Sequence, residues 1–171
     1  MPAPKSLRHG LFTACAAIAV LQAGSTLAFA ANATFYDAAL CKPPYSLTSS
    51  TKIYEAAEKL AKPDTSSMGA AIYKIPQIGR DGFESDEVFF ANGAVGVLIK
   101  GLRADELAAK YKLKREKPDL LGASSKGYAR PLAKTLQPPA GLAGPGKVSI
   151  VARESDALPG KTLLACEFVA D

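Results

Sequence analysis

Apolar residues recur along this chain with two different periods, and the longer period predicts two helices. Residues 51–62 carry apolar side chains at spacings of three and four, which share one helix face: Ile53, Ala56, Ala57 and Leu60. Residues 103–112 repeat this spacing: Ala104, Leu107, Ala108 and Tyr111. Ser49 or Ser50 can cap the first helix at its N-terminus, and Pro63 is expected to end it.

Short apolar segments bounded by turn residues predict the strands of a sheet. We expect strands at 70–75, 87–90, 94–99, 147–154 and 162–169. Pro76 should end the first strand, and a turn is expected at 79–82. Asn92-Gly93 predicts a tight hairpin because both residues tolerate positive φ. The almost wholly apolar segment 94–99 is expected at the centre of the sheet, covered on both faces.

Two helices among several short strands predict a small α+β domain, with the helices packed on a mainly antiparallel sheet. Residues 117–137 show no clear period, and the residues at 138–146, rich in proline and glycine, predict an exposed loop. Too little chain follows this loop to form a second domain. A single domain over residues 31–171 is therefore expected.

The first 30 residues have the three parts of a cleavable secretory signal peptide. Lys5 and Arg8 precede an apolar core at 11–21, and small residues end the segment at Ala30. The apolar core is far shorter than the roughly 20 residues of a membrane-spanning helix. We predict export to the periplasm or the cell exterior, cleavage after Ala30 or after Ala33, and no membrane span in the mature chain.

Composition excludes several kinds of chemistry from the mature domain. The only histidine, His9, lies in the predicted signal peptide, which excludes histidine-dependent catalysis and His-ligated metals. Loss of Lys5 and Arg8 leaves 19 basic residues against 16 acidic ones, a net charge of +3. This surplus is too small to indicate nucleic acid as a partner. We expect neither a cofactor nor a metal.

Cys41 and Cys166 are the two cysteines of the predicted mature chain, because Cys15 leaves with the signal peptide. A single pair in an oxidising compartment allows one connectivity, so a Cys41–Cys166 disulfide is predicted. Leu164, Cys166 and Phe168 would share the inner face of the last strand. Two buried free thiols are the alternative.

Ser49 and Lys52 match the S-x-x-K spacing of serine acyl-transferases such as penicillin-binding proteins. In such an enzyme the lysine serves as a base, which requires burial to lower its pKa. The simpler interpretation is a helix-capping segment followed by a solvated lysine.

Four carboxylates lie within residues 81–87: Asp81, Glu84, Asp86 and Glu87. A solvated acidic turn that protects an edge strand is the expected structure. A calcium site and a catalytic carboxylate pair are the alternatives, although the spacing of a calcium-binding loop is missing.

Residues 110–117 hold five basic residues and one acid; the basic ones are Lys110, Lys112, Lys114, Arg115 and Lys117. Such a run is typical of an exposed helix end. It can also contact anionic lipid, lipopolysaccharide or an acidic protein.

The mature domain has no histidine, no metal-ligand cluster and no convincing nucleophile. This favours a small exported binding module, such as an inhibitor, immunity or accessory protein for another envelope or secreted protein. Contact with the partner is expected through residues of two groups: the basic Lys110, Lys112, Lys114 and Arg115, and the acidic Asp81, Glu84 and Asp86. The alternatives are a histidine-independent hydrolase acting on envelope glycan or peptide, and a structural component of the envelope.

Overall fold

The computed structural model describes residues 34–66, 69–91, 93–117, 125–138 and 146–170. Their helices are α1 (34–39), α2 (Leu47–Glu58) and α3 (Ala104–Tyr111), with a short 3-10 turn at Lys134–Leu136. Their strands are β1 (Ala70–Arg80), β2 (Phe83–Ala91), β3 (Ala94–Lys100), β4 (Lys114–Arg115), β5 (Lys126–Pro131), β6 (Gly146–Glu154) and β7 (Lys161–Ala170). The predicted signal peptide lies outside the described residues.

The seven strands form one sheet in the order β1-β2-β3-β7-β6-β5-β4, and every neighbouring pair is antiparallel. The last strand in the chain, β7, lies between β3 and β6, so β1 and β4 are the two edges. This architecture confirms the predicted antiparallel α+β class. None of the described helices has the length and apolar character needed to cross a membrane.

The sheet buries apolar side chains on both faces. One face packs against the helices, and its core includes Tyr36 of α1, Leu107 of α3 and Val97 of β3. The next residue of β3, Leu98, points to the other face, where it packs in a smaller cluster with Val151 and neighbouring residues. The sheet is therefore apolar on both sides at its centre, as the apolar run at 94–99 predicts.

Strand β1 is longer than its sequence predicts. The expected end at Pro76 is wrong, because β1 continues to Arg80 with a register shift between Lys74 and Ile78. Proline is tolerated here since β1 is an edge strand, which needs no hydrogen bond on its outer side. The predicted turn at 79–82 is confined to Asp81 and Gly82, both with positive φ.

The predicted hairpin between β2 and β3 is confirmed. Ala91 pairs with Ala94 across the turn, and Gly93 has a φ of 80°. Asn92 lies outside the described residues. β3 pairs with β2 on one side and β7 on the other, and Gly101, with a φ of 86°, directly follows the end of the strand.

Helix α2 begins earlier and ends earlier than predicted. Its N-cap is Ser46, which forms a capping box with Ser49, so the expectation that Ser49 or Ser50 caps it is wrong. The helix ends at Glu58, well before Pro63. Leu60 therefore falls outside the helix and is 46% exposed instead of joining the core.

Helix α1 is not predicted by the sequence. It is too short for an apolar period to show, yet Phe35 and Tyr36 are almost completely buried. Strand β5 was missed as well, inside the segment 117–137. Helix α3 and the strands β6 and β7 agree with prediction, while most of the predicted loop at 138–146 lies outside the described residues.

Candidate functional site

The predicted disulfide joins Cys41 to Cys166 and is confirmed, with the two Cα atoms 4.9 Å apart. Cys41 follows α1 with a φ of 57°, and the amides of Cys41 and Lys42 bond back to the carbonyls of Ala38 and Asp37. This is the Schellman pattern that ends helices, in which the left-handed position usually takes glycine. The bond holds the short helix against the central strand β7.

Ser49 and Lys52 do not form a nucleophile and its base. The Ser49 hydroxyl lies within hydrogen-bond distance of the Ser46 amide and hydroxyl and of the Pro44 carbonyl, as part of the helix cap. Lys52 is exposed and therefore lacks the burial that an acyl-transferase base requires. The spacing is explained by capping alone.

The acidic segment is a turn followed by a strand instead of one solvated turn. Asp81 lies in the turn, and Glu84 is exposed on β2. Asp86 lies 3.5 Å from the Lys100 ammonium. Glu87 is buried. Among the described residues no group of three or more histidine, cysteine, aspartate or glutamate side chains could hold a metal ion.

Glu87 is held between two lysines on the face of the sheet opposite the helices. Its carboxylate oxygens lie 2.6 Å from the Lys74 ammonium and 2.5 Å from the Lys161 ammonium, and its side chain is only 5% exposed. Burial opposes ionisation, but the ion pairs with Lys161 and Lys74 outweigh it and lower the pKa of Glu87. The residue stabilises the sheet and is closed to a partner.

The acidic turn and the basic run meet in space. Lys110 of α3 lies 3.3 Å from the Asp81 carboxylate, and the Tyr111 hydroxyl donates a hydrogen bond of 3.1 Å to the same group. Burial raises the pKa of Asp81, but the hydrogen bonds from Tyr111 and Lys110 outweigh it, so the pKa lies below its usual value. Asp81 and Lys110, both predicted to contact a partner protein, therefore form an ion pair with each other.

The only acid in the basic run, Glu116, is turned away from the surface. Its carboxylate receives two hydrogen bonds from Arg153 of β6, at 2.7 and 2.8 Å, and its side chain is only 4% exposed. Arg153 also donates to both carboxylate oxygens of Glu167 on β7. Burial raises the pKa of Glu167, and Arg153 offsets this only in part. Arg153 and Glu167 were missed in the sequence because nothing local connects them.

The remaining basic residues form a basic strip, defined as Lys112, Lys114, Arg115 and Lys117. All four are exposed, and they run from the end of α3 along the edge strand β4. Arg115 stacks over the ring of Tyr128 and donates a 3.2 Å hydrogen bond to its hydroxyl. The three lysines make no ion pair with any described residue.

A second candidate site is a cavity of about 570 Å³ between α2 and the ends of β1, β2 and β3, at the edge of the sheet far from β4. Tyr45, Tyr54 and Phe90 contribute aromatic rings to it. This pocket is not evident from the sequence, since its residues come from separate segments and share no motif.

Comparison of the chain with protein-family models, with curated proteins and with solved structures finds no match.

Proposed function

We propose that the protein is an exported binding module whose basic strip docks on an acidic surface of another envelope or secreted protein. Export rests on the predicted signal peptide. The disulfide between Cys41 and Cys166 is consistent with an oxidising compartment outside the cytoplasm.

The burial of the Glu116 side chain is the main observation that supports this proposal. In the sequence, Glu116 lies between Arg115 and Lys117 and would partly neutralise them. In the structure its carboxylate faces Arg153 and does not neutralise its neighbours, and Lys114 and Lys117 form no ion pair with any acidic residue that the structure describes. A cluster of exposed like charges repels itself, and an acidic partner relieves that repulsion.

The contact proposed here is made by side chains and not by strand addition. β4 contains only Lys114 and Arg115, and lysine on an edge strand discourages another strand from pairing with it. Binding through exposed lysines is screened by salt, because the Debye length falls to about 3 Å at 1 M ionic strength. We therefore expect the complex to weaken steeply as salt is added.

The test compares two charge-reversed variants of equal net charge. In K112E/K114E/K117E the basic strip is reversed, while K52E/K59E/K62E reverses three exposed lysines on and after α2. The oxidised protein and both variants are immobilised through a C-terminal tag and exposed to envelope and culture extracts, and bound proteins are quantified by mass spectrometry. One acidic protein should be enriched by the wild type and by the α2 variant, and lost with the strip variant.

Thermal unfolding of each variant shows whether loss of binding reflects loss of fold. A partner retained by the strip variant, or lost equally with the α2 variant, would contradict the proposal. Binding of the wild type to vesicles of phosphatidylglycerol and phosphatidylethanolamine, with no protein enriched, would also contradict it and would assign the basic strip to the membrane surface.

A further inference from the structure

The pocket beside α2, here called the α2 pocket, is open to solvent and has the size of a small-molecule site. Its volume of about 570 Å³ falls within the range of about 300–1,000 Å³ that ligand pockets occupy. The pocket is lined by residues of α2, of the three strand ends and of the segments that flank them: Tyr45, Ser50, Thr51, Tyr54, Thr65, Gly69, Ala70, Ala71, Phe90, Ala91 and Ala94. It lies at the β1 edge of the sheet, whereas the basic strip lies at the β4 edge.

The chemistry of this lining selects the ligand. Aromatic rings and alanine methyl groups provide the apolar surface, and the hydroxyls of Ser50, Thr51 and Thr65 provide polar contacts. None of the described residues that line it is a lysine, arginine, aspartate or glutamate. A charged ligand would lose part of its hydration on this surface and gain no counter-ion from the described lining, whereas an uncharged one needs only hydrogen bonds and apolar contact.

The aromatic rings that line the pocket are held in place by packing on a buried tyrosine. The rings of Tyr54 and Phe90 meet edge to face with centroids 5.2 Å apart. Both rings also pack edge to face on Tyr73, at 5.6 and 5.7 Å, and Tyr73 is completely buried. A wall that is already ordered loses little conformational entropy when a ligand binds.

The opposite side of the pocket is open because its residues are small. Gly69 has a φ of 73°, and a Cβ atom built on it would meet no described residue within 4 Å other than its own chain neighbours. Ala70 and Ala91, at the paired ends of β1 and β2, are only partly buried. Larger residues at these positions would fill the space that the structure leaves free.

We infer that the α2 pocket binds an uncharged small molecule with an aromatic or similarly flat apolar body and a hydroxyl or carbonyl group. The body would lie against Tyr54 and Phe90, and the polar group would reach the hydroxyls on α2. This site lies at the other edge of the sheet from the basic strip, so it is distinct from the surface proposed to bind a protein partner.

Three probes that share one ring system test the inference: 2-naphthalenemethanol, 2-naphthoate and 2-naphthylmethylammonium. Each is titrated into the oxidised wild-type protein, and backbone amide shifts are followed by NMR. The uncharged alcohol should bind at least about tenfold more tightly than either ion, because the ions cannot be compensated in the pocket. The largest shifts should fall on residues that line the pocket.

Two tryptophan variants on the same helix locate the binding. Thr51→Trp places an indole at the pocket, whereas Thr48→Trp places it at an exposed position of α2 that does not line the pocket. Neither position is in the core, and unfolding curves verify that both variants fold. Thr51→Trp should weaken binding of the alcohol by at least about tenfold, and Thr48→Trp should leave it unchanged.

Absence of binding to the folded wild type would overturn the inference. Equal affinity for the alcohol and the two ions would do so as well, as would binding that Thr51→Trp does not weaken.

Discussion

Cys41 and Cys166 connect the end of α1 to a central strand across 125 residues of sequence. Replacing both by alanine should lower the free energy of unfolding by about 4–5 kcal/mol, because the unfolded chain regains the entropy that closing so long a loop removes. Chemical denaturation of the oxidised wild type and of the double variant measures the difference. A loss below about 1 kcal/mol would contradict this account.

The left-handed backbone at Cys41 makes a second, finer prediction in the absence of the disulfide. At a φ of 57° an alanine is strained, whereas glycine is not. With Cys166→Ala in both proteins, Cys41→Gly should therefore be more stable than Cys41→Ala by about 1 kcal/mol. Equal stability would show that the end of α1 relaxes once the bond is lost.

Gly96 permits the close approach of β3 and β7. A Cβ atom at this position would lie 2.4 Å from the Leu164 carbonyl oxygen and 2.7 Å from the Ala165 Cβ. Gly96→Ala should destabilise the protein by about 1–3 kcal/mol, since the clash involves backbone that cannot rotate away. Gly79→Ala is the control, because a Cβ atom at position 79 would meet other atoms only at 3.7 Å and beyond. The stability of this variant should be equal to that of the wild type or higher.

Tyr73 carries a buried hydroxyl that makes no hydrogen bond of normal geometry with the described residues. Burial raises its pKa above the usual value, with Tyr54 adding to the effect. Tyr73→Phe should leave stability unchanged or raise it by up to about 1 kcal/mol, since no hydrogen bond is lost. Tyr111→Phe removes the bond to Asp81 and should cost about 1 kcal/mol in the same denaturation experiment. A larger loss for Tyr73→Phe would mean that its hydroxyl has a partner.

Glu87 should make stability depend on pH in the acid range. Its pKa in the folded protein is lower than the value of about 4.3 in an unfolded chain, so its contribution is present above that pH. The contribution is lost as the pH falls through the folded pKa. Glu87→Gln should therefore cost about 1 kcal/mol at pH 7 and progressively less below about pH 4.

Asp86→Asn is the control for this pH dependence. Asp86 lies in a more exposed pair with Lys100, so its replacement should change stability by less than about 0.5 kcal/mol at either pH. Denaturation midpoints at pH 7 and pH 3 measure both variants. A cost for Glu87→Gln that stays the same at both pH values would contradict the ion-pair account.

Elements with a complete local signal could be predicted from the sequence. Helix α3 has its apolar face, its acidic first turn and a basic last turn within eight residues, and the β2–β3 hairpin needs only the turn and its flanking strands. The disulfide followed from counting cysteines in the mature chain. The predicted start of α2 was wrong because Ser46, Ser49 and Ser50 can each cap a helix. Only the hydrogen bonds of the structure identify Ser46 as the cap.

Features that depend on contacts between distant segments were decided only by the tertiary structure. α1 is helical because burial of Phe35 and the disulfide stabilise six residues that are too short to be a helix in isolation. The sequence alone places Glu116 in a charged, exposed segment, but in the fold it pairs with Arg153 of β6. Asp81 has no evident partner in the sequence, but in the fold it pairs with Lys110 of α3. The α2 pocket likewise exists only where α2 crosses three strand ends. Local pattern determines which residues can be helical, extended or exposed, whereas long-range packing decides which charges remain at the surface, because each ion pair needs a partner that only the fold can supply.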